Sequence, residues 1–276
     1  MDLIISFFAL FLGGLVGGFI AGLVGIGGGV VYVFIIPIAL KYIGVPLAEI
    51  PQYTIANSIF AILFASSSAN YMLIKHKNFY WKEVLLIGVL AIVSSHLTLE
   101  FIVNTPWYSL EAFNIVIVIL LSYMFYSTLL TARKVYLPGE DELKKTALGL
   151  TGVAGGSIAS LSGLGGGIVI IPILNSYLKV DIKKASSISS GVIMLSALTI
   201  TVSNLVATPM HPFSFYNSGY VIFPISIALS CGVVVASPLG VNVARKLSSK
   251  TISYIYAFFL LIVIVKKVIE LITINS

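Results

Sequence analysis

The sequence predicts an all-α polytopic membrane protein of two inverted-topology repeats, each a glycine-broken helical hairpin plus three transmembrane helices. Three observations lead to this fold class. The 276-residue chain is 58% hydrophobic and only 9% charged, which is too apolar for an ordinary soluble domain. A glycine-rich string occurs twice, and the basic residues form short clusters between apolar runs. Basic clusters in the loops of membrane proteins set the orientation of the chain in the bilayer. The net charge of +6 therefore does not indicate nucleic-acid binding.

The glycine string marks an internal duplication. Gly25-Ile26-Gly27-Gly28-Gly29 returns as Gly163-Leu164-Gly165-Gly166-Gly167, and the offset of 138 residues from Gly25 to Gly163 also pairs Gly14 with Gly152. A period of about half the chain indicates two repeats. Each glycine gives up roughly 1 kcal/mol of helix propensity relative to alanine. Each string therefore predicts a deliberately broken helix.

The first half, residues 1–132, is predicted to be the first membrane repeat. A span needs about 20 apolar residues, so residues 3–43 are too long for one span and break at Gly27–Gly29 into a long arm and a short arm. The GxxxG spacing of Gly14 and Gly18 predicts close packing of the long arm on another helix. Single spans follow at residues 53–74, 84–103 and 110–131.

The second half, residues 146–276, repeats this plan as the second membrane repeat. A hydrophilic linker at residues 133–145, containing Pro138-Gly139, separates the halves. The N-terminus has no basic n-region, so no cleavable signal peptide is expected. The segments are a glycine-broken run at 146–178 and spans at 185–207, 217–240 and 251–273.

Loop charges distinguish a single crossing from a hairpin at each broken run. The basic clusters lie at residues 75–82, 133–145, 179–184 and 245–250. If each broken run is a hairpin that returns to its starting side, all four clusters are cytoplasmic, as the positive-inside rule requires. Each half then makes an odd number of passes, so the halves insert in opposite senses and both termini lie outside the cytoplasm. Lys266 and Lys267 fit less well, because near the outer end of the last helix they would have to snorkel.

Broken helices at equivalent positions of inverted repeats are typical of secondary transporters, with the substrate near the midplane. The start of each short arm presents unsatisfied N–H groups and partial positive charge, which suits an anion. No Lys, Arg, Asp or Glu lies in the middle of a predicted segment. The residues predicted to line the anion site at these two tips are Gly27, Gly28, Gly29, Gly165, Gly166 and Gly167.

Small polar residues open the helix after each string, at spacing i, i+3, i+4, which places them on one helical face. The matched residues are Thr54, Asn57 and Ser58 in the first half and Ser186, Ser189 and Ser190 in the second. Asn57, Ser58, Ser189 and Ser190 are predicted to line the ligand site. The alternative is hydrogen bonding between helices, which Ser and Asn side chains commonly provide in membranes.

Several other residues have a structural and a functional interpretation. His96 within an apolar segment could carry a coupling proton or form a structural hydrogen bond. Pro37 and Pro172 are predicted to kink or end the short arms. Cys231 has no partner for a disulfide and is expected to be a small buried side chain.

Catalytic chemistry is not expected. No Lys-Ser/Thr pair follows the glycine strings as in phosphate-binding loops. The sequence offers no cluster with metal-ligand spacing and no nucleophile with an adjacent base. It therefore predicts no enzyme, no cofactor and no metal site.

The repeated glycine strings followed by a proline, in Gly25 to Pro37 and Gly163 to Pro172, with a small-polar helix after each, resemble the TauE/SafE sulfite exporter family. The resemblance covers essentially the whole chain. It implies export of sulfite, sulfonates such as sulfoacetate, or related organosulfur anions. Ser160 stands where the first copy has Gly22, and Pro37 is displaced by three residues relative to Pro172. Two unequal half-sites are therefore expected.

The function predicted is a secondary transporter that exports a small sulfur-containing anion by alternating access. It would lie in the cell membrane, plasma or inner, with the lipid bilayer and the anion as partners and a homodimer possible. The alternative is an anion channel or passive pore whose constriction is lined by the glycine tips. An integral-membrane enzyme or an assembly subunit is a third class, disfavoured by the missing catalytic groups.

Overall fold

The structure, a computed structural model, describes residues 2–105, 107–133, 145–210 and 216–274. The predicted linker at 133–145 lies outside these ranges apart from its two end residues. The helices are α1 (Asp2–Val24), α2 (Gly29–Tyr42), α3 (Ile50–Lys75), α4 (Trp81–Thr98), α5 (Leu110–Arg133), α6 (Lys145–Ser162), α7 (Gly167–Pro172), α8 (Ile182–Val206), α9 (Phe223–Lys246) and α10 (Ser249–Ile274). Strands β1 (Asn217–Ser218) and β2 (Val221–Ile222) form an antiparallel hairpin.

Six helical segments in the described ranges are long and apolar enough to cross a membrane. Large hydrophobic side chains such as Phe8, Val89 and Phe258 are exposed on the outside of the bundle, where a soluble protein would carry polar groups. The prediction of an all-α polytopic membrane protein is confirmed. The six segments are Phe7–Val24, Leu47–Lys75, Trp81–Val103, Leu110–Leu130, Ile182–Val206 and Phe223–Lys246.

Both broken helices break where the glycine strings predict. Gly27 has φ +87° and Gly165 has φ +79°, a left-handed conformation that costs other residues about 1–2 kcal/mol. The first break reverses the chain direction. A Cβ on Gly13 would lie 2.6 Å from Ile35, and a Cβ on Gly17 would clash with Tyr32. From Gly13 to Gly17 the chain advances along α1, while the contacted residue on α2 changes from Ile35 back to Tyr32. The two arms therefore form an antiparallel hairpin.

The long arms pack closely on helices of the other half of the chain. On α1, a Cβ at Gly18 would lie 2.7 Å from the Cα of Val233 in α9, and one at Gly14 would clash with the backbone of the same helix. On α6, a Cβ at Gly152 or Gly156 would clash with backbone carbonyls of α4. The close packing predicted from the GxxxG spacing is confirmed.

The two short arms differ. Helix α2 runs for 14 residues with Pro37 buried inside it. Helix α7 has only 6 residues and continues from Pro172 into the π-helical turn Ile173–Tyr177. A six-residue helix has little macrodipole, so the sequence argument from a helix N-terminus applies poorly to the second arm.

Two expectations from the sequence are wrong. The segment predicted to start at residue 217 becomes helical only at Phe223, because residues 217–222 form the β-hairpin and Pro224 lies in the first helical turn. Cys231 is exposed on α9 rather than buried. The apolar run around it indicates membrane exposure as well as burial, and hydropathy does not distinguish the two.

Candidate functional site

The two glycine breaks touch each other directly. A Cβ on Gly29 would lie 2.5 Å from the Cα of Leu164, and a Cβ on Gly167 would lie 2.9 Å from the Cα of Ile26. Gly29 and Gly167 are equivalent positions of the two strings, and so are Ile26 and Leu164. The two contacts therefore match each other, with the strings exchanged. No side chain fits at either crossing, which explains why glycine occurs there.

Apolar side chains surround this crossing. A Cβ on Gly27 would lie 2.9 Å from Ile62, and both Gly27 and Gly165 face Ile62 and Ile193. Ile26, Leu164, Ile62 and Ile193 are all buried. We refer to these four side chains as the apolar layer. It leaves no space for an anion between the glycine tips in this conformation.

A cavity of about 260 Å³ lies on one side of the apolar layer. Its inner end reaches Gly25, Ile26 and Gly167, and Ser190 lines its wall. Of the ten residues predicted to bind substrate, Gly167 and Ser190 line this cavity, whereas Gly27, Gly28, Gly29, Gly165 and Gly166 do not. Asn57, Ser58 and Ser189 do not line it either. Other lining residues are Ser186, Ser187, Asn175, Asn78, Tyr80 and Thr128.

The mouth of the cavity is basic. His76, Lys183, Lys184 and Arg245 line it, and they come from three of the four basic clusters that the sequence predicts to share one face. Asp181 is the one acidic residue among the described side chains that line the cavity, and its Oδ1 accepts hydrogen bonds from the N–H groups of Lys183 and Lys184 at the start of α8. We refer to this space as the basic cavity, and its charge favours anions.

Asn57 is fully engaged inside the protein. Its Nδ2 donates to Tyr53 O at 2.7 Å and Tyr220 O at 3.0 Å, while its Oδ1 accepts from Ile222 N at 2.9 Å and Ser226 Oγ at 2.6 Å. An amide side chain offers two donor hydrogens and two acceptor lone pairs. In this conformation Asn57 therefore has no polar group left for a ligand.

Two serines of the matched trios bind the ends of the long arms. Ser58 Oγ donates to Gly163 O at 2.5 Å, and Ser186 Oγ donates to Val24 O at 2.8 Å. The last carbonyls of a helix lack intrahelical partners, and each serine supplies one from the opposite half of the chain. The interhelical interpretation of the small polar residues fits Ser58 and Ser186.

Ser189 has a different environment. Its side chain is fully buried and its Oγ has no hydrogen-bond partner among the described residues. A Cβ on Gly167 would lie 2.8 Å from this oxygen, so the hydroxyl is next to the inner end of the basic cavity. A buried polar group without a partner requires an explanation, and a ligand that reaches this point would provide one.

A polar closure lies at the other end of the bundle. Glu49 Oε1 accepts from Met210 N at 2.6 Å and from the Tyr220 hydroxyl at 3.2 Å, and Tyr220 N donates to Asn204 O at 3.0 Å. Burial and then the charge of Glu49 raise the pKa of Tyr220, so its hydroxyl stays a neutral donor. With Asn57, these residues hold the β-hairpin against α3, and we refer to them as the polar closure.

The polar closure and the basic cavity lie at opposite ends of the same helices. Along α3, Asn57 of the closure and His76 of the cavity mouth are roughly 28 Å apart by helical rise. Along α8, Lys184 lines the cavity near the start, and Asn204 contacts the closure near the end. Among the described residues, the cavity thus opens at the end with the basic side chains, and hydrogen bonds join the helices at the opposite end.

A family model described as sulfite exporter TauE/SafE matches residues 10–267. The chain belongs to this family. A probable membrane transporter protein of Methanocaldococcus jannaschii is 31% identical over 87% of both chains. Similar proteins of Haemophilus influenzae and Bacillus subtilis, also named probable membrane transporters, are each 26% identical over more than nine-tenths of both chains. No solved structure matches the chain.

Membership of the TauE/SafE family makes this chain a membrane transporter and not an enzyme. Within the described residues, no group of three His, Cys, Asp or Glu side chains could hold a metal ion. His96 is exposed, with Nδ1 3.2 Å from Ser203 Oγ, and it does not line the basic cavity. The position of His96 therefore fits a structural hydrogen bond rather than a role in carrying a coupling proton.

Sequence reasoning missed several features of this TauE/SafE chain. The polar closure depends on the pairing of Glu49 with Met210 and Tyr220, across more than half of the chain, and no local pattern indicates it. Asn175 in the cavity wall likewise carries no motif. His76, Lys183 and Arg245 were visible as basic clusters, and the rule that places such clusters on one face could have identified the mouth.

Proposed function

We propose that this chain is a secondary transporter that exports a small sulfur-containing anion by alternating access, and that the conformation described is open to the cytoplasm. The observation that carries the proposal is the basic cavity, which ends at the apolar layer while the polar closure seals the opposite end. A space that reaches the centre from one face only is typical of one state of a carrier. A conducting pore would need a path through the layer.

An inverted repeat explains how the other state would form. The contact of Gly29 with Leu164 is matched by that of Gly167 with Ile26. Likewise, α1 packs on α9 as α6 packs on α4. Contacts that exchange in this way support two repeats related by a pseudo-two-fold axis. If the repeats exchange conformations, the polar closure opens and the basic cavity closes.

The proposed substrate site is the inner end of the basic cavity. Ser190 and the backbone at Gly167 line it, and the unpartnered Ser189 hydroxyl lies beside it. Neutral donors bind an anion without the cost of a fixed charge in the membrane. Lys183 and Arg245 at the mouth raise the local anion concentration. Two grounds support a sulfur-containing substrate. The family description names sulfite, and the resemblance of the sequence to this family implies export of sulfonates.

The orientation follows from the positive-inside rule. Basic clusters with His76, Lys184 and Arg245 surround the cavity mouth, so this face is assigned to the cytoplasm. Both termini would then lie outside the cytoplasm in a plasma or inner membrane. The inner face is also where an exporter collects its substrate.

Anion binding to the purified protein tests this proposal. Sulfite, sulfoacetate, taurine, sulfate, acetate and chloride would be compared by the shift each causes in the thermal unfolding midpoint. We expect one sulfur anion to raise the midpoint selectively and Ser190→Ala to reduce that shift. Ser196→Ala is the matched control, because Ser196 is buried on the same helix and its hydroxyl, among the described residues, donates to carbonyls of its own helix. Equal indifference to all six anions would contradict the proposed site.

A further inference from the structure

Two charged side chains among the described residues are fully buried, Lys267 and Glu49. Lys267 Nζ donates to Asn114 Oδ1 at 3.0 Å and to Glu270 Oε2 at 3.0 Å, so it points into the bundle and the sequence expectation that it snorkels is wrong. Its two partners do not line the basic cavity and are not part of the polar closure. Glu49 belongs to the closure, where it binds residues of the other half of the chain. A buried ionisable group in a membrane bundle is usually functional.

Glu49 has an equivalent in the second half of the chain. The interval from Glu49 to Thr54 equals that from Asp181 to Ser186, and Thr54 and Ser186 are the matched first members of the two polar trios. An isoleucine follows each acidic residue. Each also stands directly before a helix, α3 in the first half and α8 in the second. The two carboxylates therefore occupy the same place in the two repeats.

The two carboxylates have different partners in the conformation described. Glu49 forms no capping hydrogen bond to α3, and instead reaches across the closed end to Met210 N and the Tyr220 hydroxyl. Asp181 is exposed, lines the basic cavity and caps its own helix, with Lys183 N donating to its Oδ1 at 2.9 Å. One carboxylate thus joins the two halves at the closed end, while its equivalent at the open end binds only locally among the described residues.

The loop beside Asp181 corresponds to the loop that Glu49 binds. Glu49 binds the segment between α8 and α9, and the corresponding segment of the first half is residues 76–80, between α3 and α4. His76 and Tyr80 of this loop line the same cavity as Asp181. His76 Nε2 is buried and has no hydrogen-bond partner among the described residues. A carboxylate that crossed the cavity mouth would supply that partner, since imidazole with its proton on Nε2 is a donor.

The start of α8 already lies beside this loop. Lys184 Nζ is 4.8 Å from the ring centroid of Tyr80, and Ser187 Oγ donates to Asn78 O. Asp181 precedes both of these residues of α8 and is close to them in sequence. A rotation of the Asp181 side chain with a small shift of α8 is therefore enough to bring its carboxylate to the loop.

We propose that Glu49 and Asp181 are paired gating residues that close opposite ends of the transport pathway in alternation. This inference rests on the proposed transporter function. When the repeats exchange conformations, Glu49 releases Met210 and Tyr220, while Asp181 leaves the start of α8 and accepts hydrogen bonds from the loop at 76–80. The basic cavity then closes, because this loop and the start of α8 both line its mouth. Hydrogen bonds to a charged acceptor are stronger than neutral ones, so each carboxylate stabilises the closed form of its own end.

Thiol labelling at the two ends of the bundle tests this pair in the full chain with Cys231→Ser. Thr54→Cys reports opening of the polar closure, and Ala69→Cys reports opening of the basic cavity, which Ala69 lines. Asp181→Ser should lower the labelling rate several-fold at Thr54→Cys and raise it at Ala69→Cys. Serine caps a helix about as well as aspartate, but it is too short to cross the cavity mouth. The variant therefore keeps the local role of Asp181 and loses the proposed one.

Variants at the closed end should shift the two labelling rates in the opposite direction. Glu49→Gln weakens the charge-assisted hydrogen bonds of the polar closure, and Tyr220→Phe removes one of them while Met210 N still binds the carboxylate. Both should raise labelling at Thr54→Cys several-fold. Combining Asp181→Ser with Glu49→Gln should return the ratio of the two rates towards wild type, because the two losses oppose each other.

Ser248→Ala is the matched control for loss of a helix cap on the cytoplasmic face. Ser248 Oγ accepts from Thr251 N at 3.1 Å at the start of α10, and its removal should leave both labelling rates unchanged. Wild-type rates in Asp181→Ser would show that this carboxylate is a helix cap only, and would overturn the pairing. A shift in the same direction by Asp181→Ser and Glu49→Gln would overturn it as well.

Counterflow of the anion in proteoliposomes with the wild-type chain separates this inference from the transporter proposal. We expect counterflow in wild type and slower exchange in Asp181→Ser, because the conformation open at the polar closure becomes rarer. If wild type shows counterflow and the opposite labelling shifts are absent, only the gating pair is overturned. Absence of counterflow in wild type would instead contradict the transporter function, and with it this inference.

Discussion

At the scale of single residues, the glycines of the two strings are needed for two separate reasons. Gly28 has φ +75°, and a Cβ there would also clash with Gly17 O of the neighbouring arm. Gly166 has an ordinary helical backbone, yet a Cβ would clash with Gly155 O. The requirement for a left-handed backbone and the requirement for close packing can therefore be tested separately by experiment.

Gly28→Ala and Gly44→Ala form a matched pair for that separation. Gly44 has φ +82°, but nothing lies within 4 Å of its Cβ position, so both variants carry the same backbone cost of about 1–2 kcal/mol. We expect Gly28→Ala to lose transport while the protein remains inserted, and Gly44→Ala to retain it. Gly28→Val and Gly166→Val should be more severe. Equal activity of the two alanine variants would show that packing at the break is unimportant.

At the scale of elements, the β-hairpin of residues 217–222 depends on Asn57. Four hydrogen bonds from one side chain hold the hairpin, α3 and α9 together. Hydrogen bonds between neutral groups contribute about 0.5–1.5 kcal/mol each, enough to shift an equilibrium between two conformations.

Asn57→Ala should therefore favour the conformation that is open on the side of the polar closure. A cysteine at the buried Thr54, one turn away, reports this opening, with the exposed native Cys231 replaced by serine. We expect thiol labelling of Thr54→Cys to become several-fold faster in the Asn57→Ala background. Asn70→Ala is the control, since Asn70 is buried on the same helix but bonds Ser190 O near the cavity. Unchanged labelling would mean that Asn57 does not hold the closure.

The elements also show what could be predicted from sequence. The breaks at Gly25–Gly29 and Gly163–Gly167 were predictable, because consecutive glycines disfavour a helix whatever surrounds them. The β-hairpin was not, since its short strands lie at the edge of an apolar run. The bonding of Asn57 depends on partners more than 160 residues away, and hydropathy gives the depth of Lys267 but not the direction of its side chain.

The chemistry of the candidate site was predictable from the sequence, whereas its position in the fold was predictable only in part. The broken helices predicted an anion and the basic clusters were predicted to share one face, and the basic cavity, whose mouth is lined by residues of three of these clusters, agrees with both. The sequence placed the anion between the two glycine tips, whereas Gly29 and Gly167 are in contact with the opposite string. Which groups face a cavity depends on the conformational state of a carrier, and no local pattern encodes that state.

At the scale of the whole molecule, the proposed direction of transport depends on the orientation of the chain in the membrane. The basic cavity opens where three basic clusters meet, and the positive-inside rule assigns that face to the cytoplasm. If each glycine-broken run crossed the membrane once instead, the loop at 179–184 would lie outside. The two arrangements differ in the exposure of Lys183.

Labelling of Lys183→Cys in the background without Cys231 distinguishes these orientations. Lys183 is exposed at the cavity mouth, so a membrane-impermeant thiol reagent should reach the cysteine in inside-out vesicles only. A bound substrate anion should slow the reaction, because the side chain lines the entrance. Labelling in intact cells at the same rate would contradict the hairpin topology.

Counterflow in proteoliposomes that contain the purified wild-type chain tests whether this protein works by alternating access. Vesicles would be loaded with unlabelled sulfite or the sulfonate that stabilises the protein best, and uptake of the labelled anion would be followed. A carrier with one-sided access predicts a saturable, transient overshoot that requires internal anion and disappears in Gly28→Val. Non-saturating flux that does not respond to internal anion would contradict alternating access and indicate a pore.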